Sequence, residues 1–133
     1  MNITVKKLLL LLTTASLISC GSDSSSSGSG EVYSVTGNTD TSTFLTGNTC
    51  GNITGSITIS DSNVTGSLTN DSPVATYTVT GFVFSDGTLR GNISIGNTTE
   101  GLFDGSISKS LESSGLWSDS GACTRGKWTA IRQ

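Results

Sequence analysis

Apolar residues alternate with hydroxyl and amide residues through most of the chain beyond residue 30, and the alternation runs through glycine. Ile53, Gly55 and Ile57 form one such run; Val64, Gly66 and Leu68, Val79, Gly81 and Val83, Leu89, Gly91 and Ile93, and Phe103, Gly105 and Ile107 form four more. The positions between them are mostly Thr, Ser and Asn, among them Thr54, Ser56, Thr65, Ser67, Asn92 and Ser106. Period two assigns the apolar set to the buried face of a strand and the polar set to solvent. Glycine then falls on the buried face, where it weakens a strand unless the sheet bends sharply or backbones approach closely there.

The unit behind this pattern is a three-residue word, apolar residue, spacer, glycine, ending at Gly37, Gly47, Gly55, Gly66, Gly81, Gly91 and Gly105, with a weaker copy at Gly126. The successive spacings of 10, 8, 11, 15, 10, 14 and 21 residues suit a strand plus a turn. Turn chemistry lies between the words, in Ser60 to Asn63, Asn70 to Pro73, Ser85 to Gly87 and Gly96 to Glu100. Such short connections make neighbouring strands antiparallel, and the β-branched content opposes helix. The fold class is all-β: an antiparallel up-and-down meander of about seven to nine strands, closed or nearly closed into a small barrel. A flat sandwich whose glycines only mark bulges is the alternative. Ser108 to Ser114 is polar enough to be a long hairpin loop.

The first twenty residues follow a different pattern. Lys6 and Lys7 precede an apolar run from Leu8 to Ile18, and Ser19 and Cys20 close it. The eleven-residue run is short against the roughly 20 residues that span a bilayer, so it reads as a cleaved leader. The segment "LISC" with this leader resembles the signal peptide and lipobox of a bacterial lipoprotein. That resemblance implies residues 1–19 as signal peptide and Cys20 as the first mature residue, carrying diacylglycerol and often an N-acyl chain such as palmitate. In a Gram-negative cell it also implies the outer membrane, because Gly21 stands where Asp commonly marks inner-membrane retention. An ordinary secretory leader with an incidental Cys20 is the alternative. Residues 20–30, the lipidated cysteine plus a Ser/Gly stretch, form a flexible tether with a reach of about 17 Å, and residues 31–133 form a single β-domain.

Charge excludes some partners. Residues 31–133 carry nine acidic side chains against five basic ones, which argues against phosphate tracking on nucleic acid and against a polybasic membrane-docking face. Only 13% of the chain is charged, below the quarter or more usual of surfaces. The hydroxyl-rich outer face could serve contact with a glycan or wall, but β-propensity plus solubility explains it without any ligand, and that is the favoured reading.

With Cys20 assigned to lipid, Cys50 and Cys123 remain, and in an exported protein two such cysteines form a disulfide. It would tie the early meander to its last strand, where a barrel must close, and stabilise by roughly 4 kcal/mol. No histidine occurs in the chain, so a metal site lacks ligands and histidine-dependent triads are impossible. No phosphate-cradling or nucleotide-binding motif is present, and the expectation is no metal, no cofactor and no catalysis. A carboxylate pair meeting across the barrel would be the minimum for glycoside hydrolysis.

The segment from Gly115 to Gln133, "GLWSDSGACTRGKWTAIRQ", resembles the closing strand pair of Gly-rich β-meander domains of small bacterial exported proteins, which have no established function. Within it, Trp128 continues a strand word into the core, while Trp117 either packs or serves as a binding platform. Trp117, Arg125, Lys127 and Arg132, with Lys109 nearby in sequence, are the one local constellation suited to an anionic or sugar ligand; a solvated strand face accounts for the cations as well. The function expected is a lipid-anchored envelope protein with a non-catalytic binding or structural module, its partners the membrane and an envelope protein or glycan. The alternatives are an inhibitor of an envelope-attacking hydrolase, signalled by a projecting charged loop, and a ligand-binding barrel. For the latter, "GSITIS" and "TGSLT" resemble an avidin-like hairpin.

Overall fold

The structure, a computed structural model, describes residues 30–42 and 44–133. The leader, Cys20 and the tether up to residue 29 lie outside the described residues.

Eight strands succeed one another: β1 (Glu31–Thr39), β2 (Ile53–Ser60), β3 (Asn63–Asp71), β4 (Val74–Val83), β5 (Thr88–Ile95), β6 (Thr98–Ser106), β7 (Ser113–Trp117) and β8 (Gly126–Arg132). Each pairs antiparallel with its neighbour in sequence, and β8 returns to β1 in a register running from Tyr33 opposite Arg132 to Thr39 opposite Gly126. The meander is therefore a closed barrel, and the flat sandwich is set aside. The expected turns form at 61–62, 72–73, 84–87 and 96–97; Asp61 and Ser62 take φ of 50° and 69° in the tightest of them. Residues 107–112 form the polar hairpin loop, and Ser113 already belongs to β7.

One word departs from the expectation. Leu45-Thr46-Gly47 lies in the long loop 40–52, where the Asn48 N–H donates to the Leu45 carbonyl at 3.2 Å and Gly47 has φ of 74°. Here glycine supplies the left-handed backbone of a turn.

The register explains the inward glycines. Each stands opposite a large residue or another glycine on the adjoining strand: Gly55 faces Val35 and Leu68, Gly66 faces Ile57 and Val79, and Gly81 faces Gly91. The closest case surrounds Trp128, flanked in register by Gly37 on β1 and Gly115 on β7. A Cβ at Gly105 or Gly115 would lie 2.6 or 2.7 Å from the Trp128 ring, well inside van der Waals contact. The indole occupies the slot that two side-by-side glycines leave, stacked on Phe103 with ring centres 4.5 Å apart, and its Nε1 donates to the Asp104 carbonyl at 3.1 Å.

The interior is filled by these side chains. Tyr33, Val35, Ile57, Val79, Leu89 and Phe103 are each at most 1% exposed, and each such burial contributes roughly 1.5–3 kcal/mol. An open calyx of the avidin or lipocalin kind would need this volume. Four clefts lie instead as grooves on the outer wall and as a hollow at one end.

Outward positions form ladders of hydroxyls. Thr58, Thr65, Thr80 and Asn92 stand side by side across β2 to β5; Ser56, Ser67, Thr78 and Ser94 make the next row, and Thr54, Thr69 and Thr76 a third.

Candidate functional site at the disulfide end

Antiparallel succession sorts the connections between two ends. β1 starts and β8 finishes at one end, together with the turns 61–62 and 84–87 and the loop 107–112. The opposite end carries the turns 72–73 and 96–97 and the two long loops, 40–52 and 118–125. Cys50 and Cys123 form the expected disulfide, separated by 73 positions in sequence. Both half-cystines lie in those long loops, so the bridge sits just beyond the β1–β8 seam; Cys123 precedes the last strand and is not part of it.

Side-chain contacts knit the same two loops. Asp40, which follows β1, receives the Ser42 N–H at 2.9 Å and the Ser42 hydroxyl at 2.6 Å, and pairs with Arg125 Nε at 2.7 Å. The Ser42 hydroxyl and N–H, followed by the Arg125 guanidinium, hold the carboxyl down at about 2. Asn48 bridges the loops through its amide: Oδ1 accepts from the N–H groups of Thr124 and Arg125 at 3.0 and 2.9 Å, while Nδ2 donates to the Arg125 carbonyl at 2.9 Å. Thr39 Oγ1 donates to the Cys50 carbonyl at 2.8 Å and accepts its N–H at 2.9 Å. Asp119 Oδ1 caps the Gly121 and Cys123 N–H groups, and its Oδ2 accepts the Tyr77 hydroxyl at 3.1 Å. Burial, ahead of the neighbouring acids, pushes that phenol up.

Loop 40–52 is thereby fixed at several points, and it presents Phe44 at 89% exposure with Leu45 beside it. Val74, after the turn 72–73, is 86% exposed at the same end. An open groove of about 390 Å³ runs down the outer wall from here, lined by Leu45, Leu102, Leu116, Asp104, Trp117 and Arg125 among others. Among the buried side chains, the amide of Asn70 on β3 and the Nε1 of Trp117 lack hydrogen-bond partners.

The constellation read from the last residues is only partly assembled. Trp117 packs inward at 2% exposure, its indole against Gly126, and is no exposed platform. Arg125 shares the groove with one edge of Trp117 but is engaged by Asp40. Lys127 stands on the outer wall between Asn38 and Leu116. Arg132 lies at the far end of β8, where it and Lys109 each pair with Glu31 at 3.3 Å. An extended strand rises about 3.3 Å per residue, so cations adjacent in sequence here are divided between opposite ends of the barrel.

Two other expectations receive geometry. Among the described residues Asp40 is the one buried carboxylate, and Arg125 holds it. The projecting loop expected of a hydrolase inhibitor exists as 40–52, yet its tip carries Phe44 rather than a free charge. Sequence reasoning missed Phe44 and Val74, since isolated apolar residues in a polar loop break no pattern. Comparison with protein-family models and with curated proteins finds no match.

Proposed function

We propose that this chain is a bacterial lipoprotein, cleaved before Cys20 and acylated there, whose barrel acts as a non-catalytic binding or structural module of the cell envelope. The observation that carries the reading is the sorting of the barrel's two ends. The strand path begins and finishes at one end, so a tether reaching Glu31 enters there. The loops joined by Cys50 and Cys123, with Phe44, Leu45 and Val74, then face away from the anchor. A disulfide suits an exported domain, and Gly21 after the lipobox supports the outer membrane. On this reading an envelope protein docks on the pinned loop and the Leu102–Leu116 groove.

Metabolic labelling with palmitate tests the anchor. The native chain incorporates label and Cys20→Ala does not; equal incorporation in both ends the proposal.

A second reading, inhibition of an envelope-attacking hydrolase, is favoured by one feature: a loop tied down at Cys50 and Asn48 offers Phe44, 89% exposed, as an anchor for a cleft. A photo-crosslinker at position 44 in intact cells would capture a hydrolase on this reading. Full muramidase and amidase activity in the presence of excess protein would refute it.

A further inference from the structure

The end opposite the disulfide carries a second apolar surface. Phe82 on β4 and Phe84 in the turn that follows are 44% and 46% exposed and meet edge to face, ring centres 5.3 Å apart. Leu111, in the adjacent loop 107–112, is 75% exposed. At the same end lies a hollow of about 330 Å³ lined by the apolar side chains of Ile59, Val83, Phe84 and Ile107 and by the polar Glu31, Ser60, Asp61, Ser62 and Lys109. Glu31 opens β1, so this hollow lies where the chain arrives from Cys20.

Tether length decides what this surface meets. The ten residues from Gly21 to Gly30 follow Cys20, a length with a root-mean-square reach of roughly 17 Å and a fully extended limit near 35 Å. β1 has nine residues, about 30 Å along a strand tilted by roughly 40°. Along the barrel axis that is about 23 Å, so the disulfide end would reach the bilayer only if the barrel inverted and the tether stretched past its relaxed reach along the wall. The terminal end lies within the relaxed reach.

We infer that this terminal end, centred on Phe82, Phe84 and Leu111, seats on the lipid bilayer that Cys20 anchors. The inference rests on the lipid anchor proposed above. Phenylalanine and leucine enter the headgroup boundary, while the anchor keeps the local concentration high, so a small apolar contact suffices. Charge selects the lipid. Asp61, Asp86 and Glu112 are exposed at this end and Glu31 engages both Lys109 and Arg132, so even with Arg90, which stands opposite Phe82, carboxylates outnumber cations. Zwitterionic headgroups therefore suit the surface better than anionic ones.

The chain has four phenylalanines, and they divide usefully: Phe82 and Phe84 at the terminal end, Phe44 at the disulfide end and Phe103 in the core. Full-length lipidated protein labelled with 4-fluorophenylalanine is reconstituted in phosphatidylethanolamine/phosphatidylcholine vesicles containing lipid spin-labelled near the headgroup. The fluorine signals of Phe82 and Phe84 should be lost to paramagnetic broadening, while those of Phe44 and Phe103 persist. Phe84→Asp should restore the Phe82 signal, with the Phe103 signal reporting an intact core. Lipidated protein that floats with the vesicles but keeps both Phe82 and Phe84 signals overturns the seat and leaves the anchor standing. Loss of the Phe44 signal in their place also overturns it, by putting the disulfide end on the membrane. Protein recovered without lipid on Cys20 removes the anchor and the seat together.

Discussion

Gly105 and Gly115 face each other across β6 and β7 so that Trp128 can lie over both. A methyl at Gly115 would displace the indole or separate the strands, and overpacking of this kind costs about 1–3 kcal/mol. Gly115→Ala should lower unfolding stability in urea by that amount, whereas Gly121→Ala, where the nearest atom would be 3.4 Å away, should change it by less than about 0.5 kcal/mol. Equal effects would refute the packing argument. Gly115 and Gly101 escaped the sequence pattern because the residues two before them are Ser113 and Thr99 rather than apolar side chains. Buried Ser113 is tolerated since its Oγ accepts the Ser108 N–H at 2.8 Å and donates to the Ser108 carbonyl at 3.2 Å. Asp40 yields a pH prediction. Its carboxyl sits at about 2 in the folded chain, below the unfolded value near 3.9. Its contribution is complete above about pH 4 and is lost as pH falls through 2. Asp40→Asn should destabilise the protein at pH 7, and the gap from the native chain should close in acid urea titrations.

At the scale of elements, period two identified the inward faces of β2 to β6 because an apolar residue precedes and follows each glycine, the last of them, Ile107, just past the end of β6. The same word at Leu45 to Gly47 served a turn, since glycine meets either demand and sequence spacing does not separate them. The turn 61–62 holds two non-glycine residues at positive φ, a conformation that Asn-Gly adopts at lower cost. Replacing Asp61-Ser62 by Asn-Gly should raise stability by roughly 1 kcal/mol in chemical denaturation; a loss would show that the native side chains contribute more than their strain. The disulfide joins loops, so removing it should loosen loops first. Cys50→Ala/Cys123→Ala should cost roughly 4 kcal/mol, with hydrogen exchange rising in 40–52 and 118–125 before the β1–β8 seam. A seam that opened first would mean that the bridge, and not strand pairing, closes the barrel.

For the whole molecule, closure and strand succession were legible because short turns leave a meander few other courses. The candidate binding surface was less so. Lys109, Arg125, Lys127 and Arg132 look clustered only until β8 is extended, and the surfaces that emerged, Phe44 with Val74 at one end and Phe82 with Phe84 at the other, depend on which loops share an end. The solid interior directs attention to these outer surfaces, and the two ends acquire different roles once the chain is held at its start. Intact-mass measurement of the protein extracted from the membranes of the producing cell tests this account most directly. The account predicts a chain from Cys20 to Gln133 bearing diacylglycerol, with or without a further acyl chain, and carrying the mass deficit of one disulfide. An unacylated chain, a different first residue or two free thiols would contradict it.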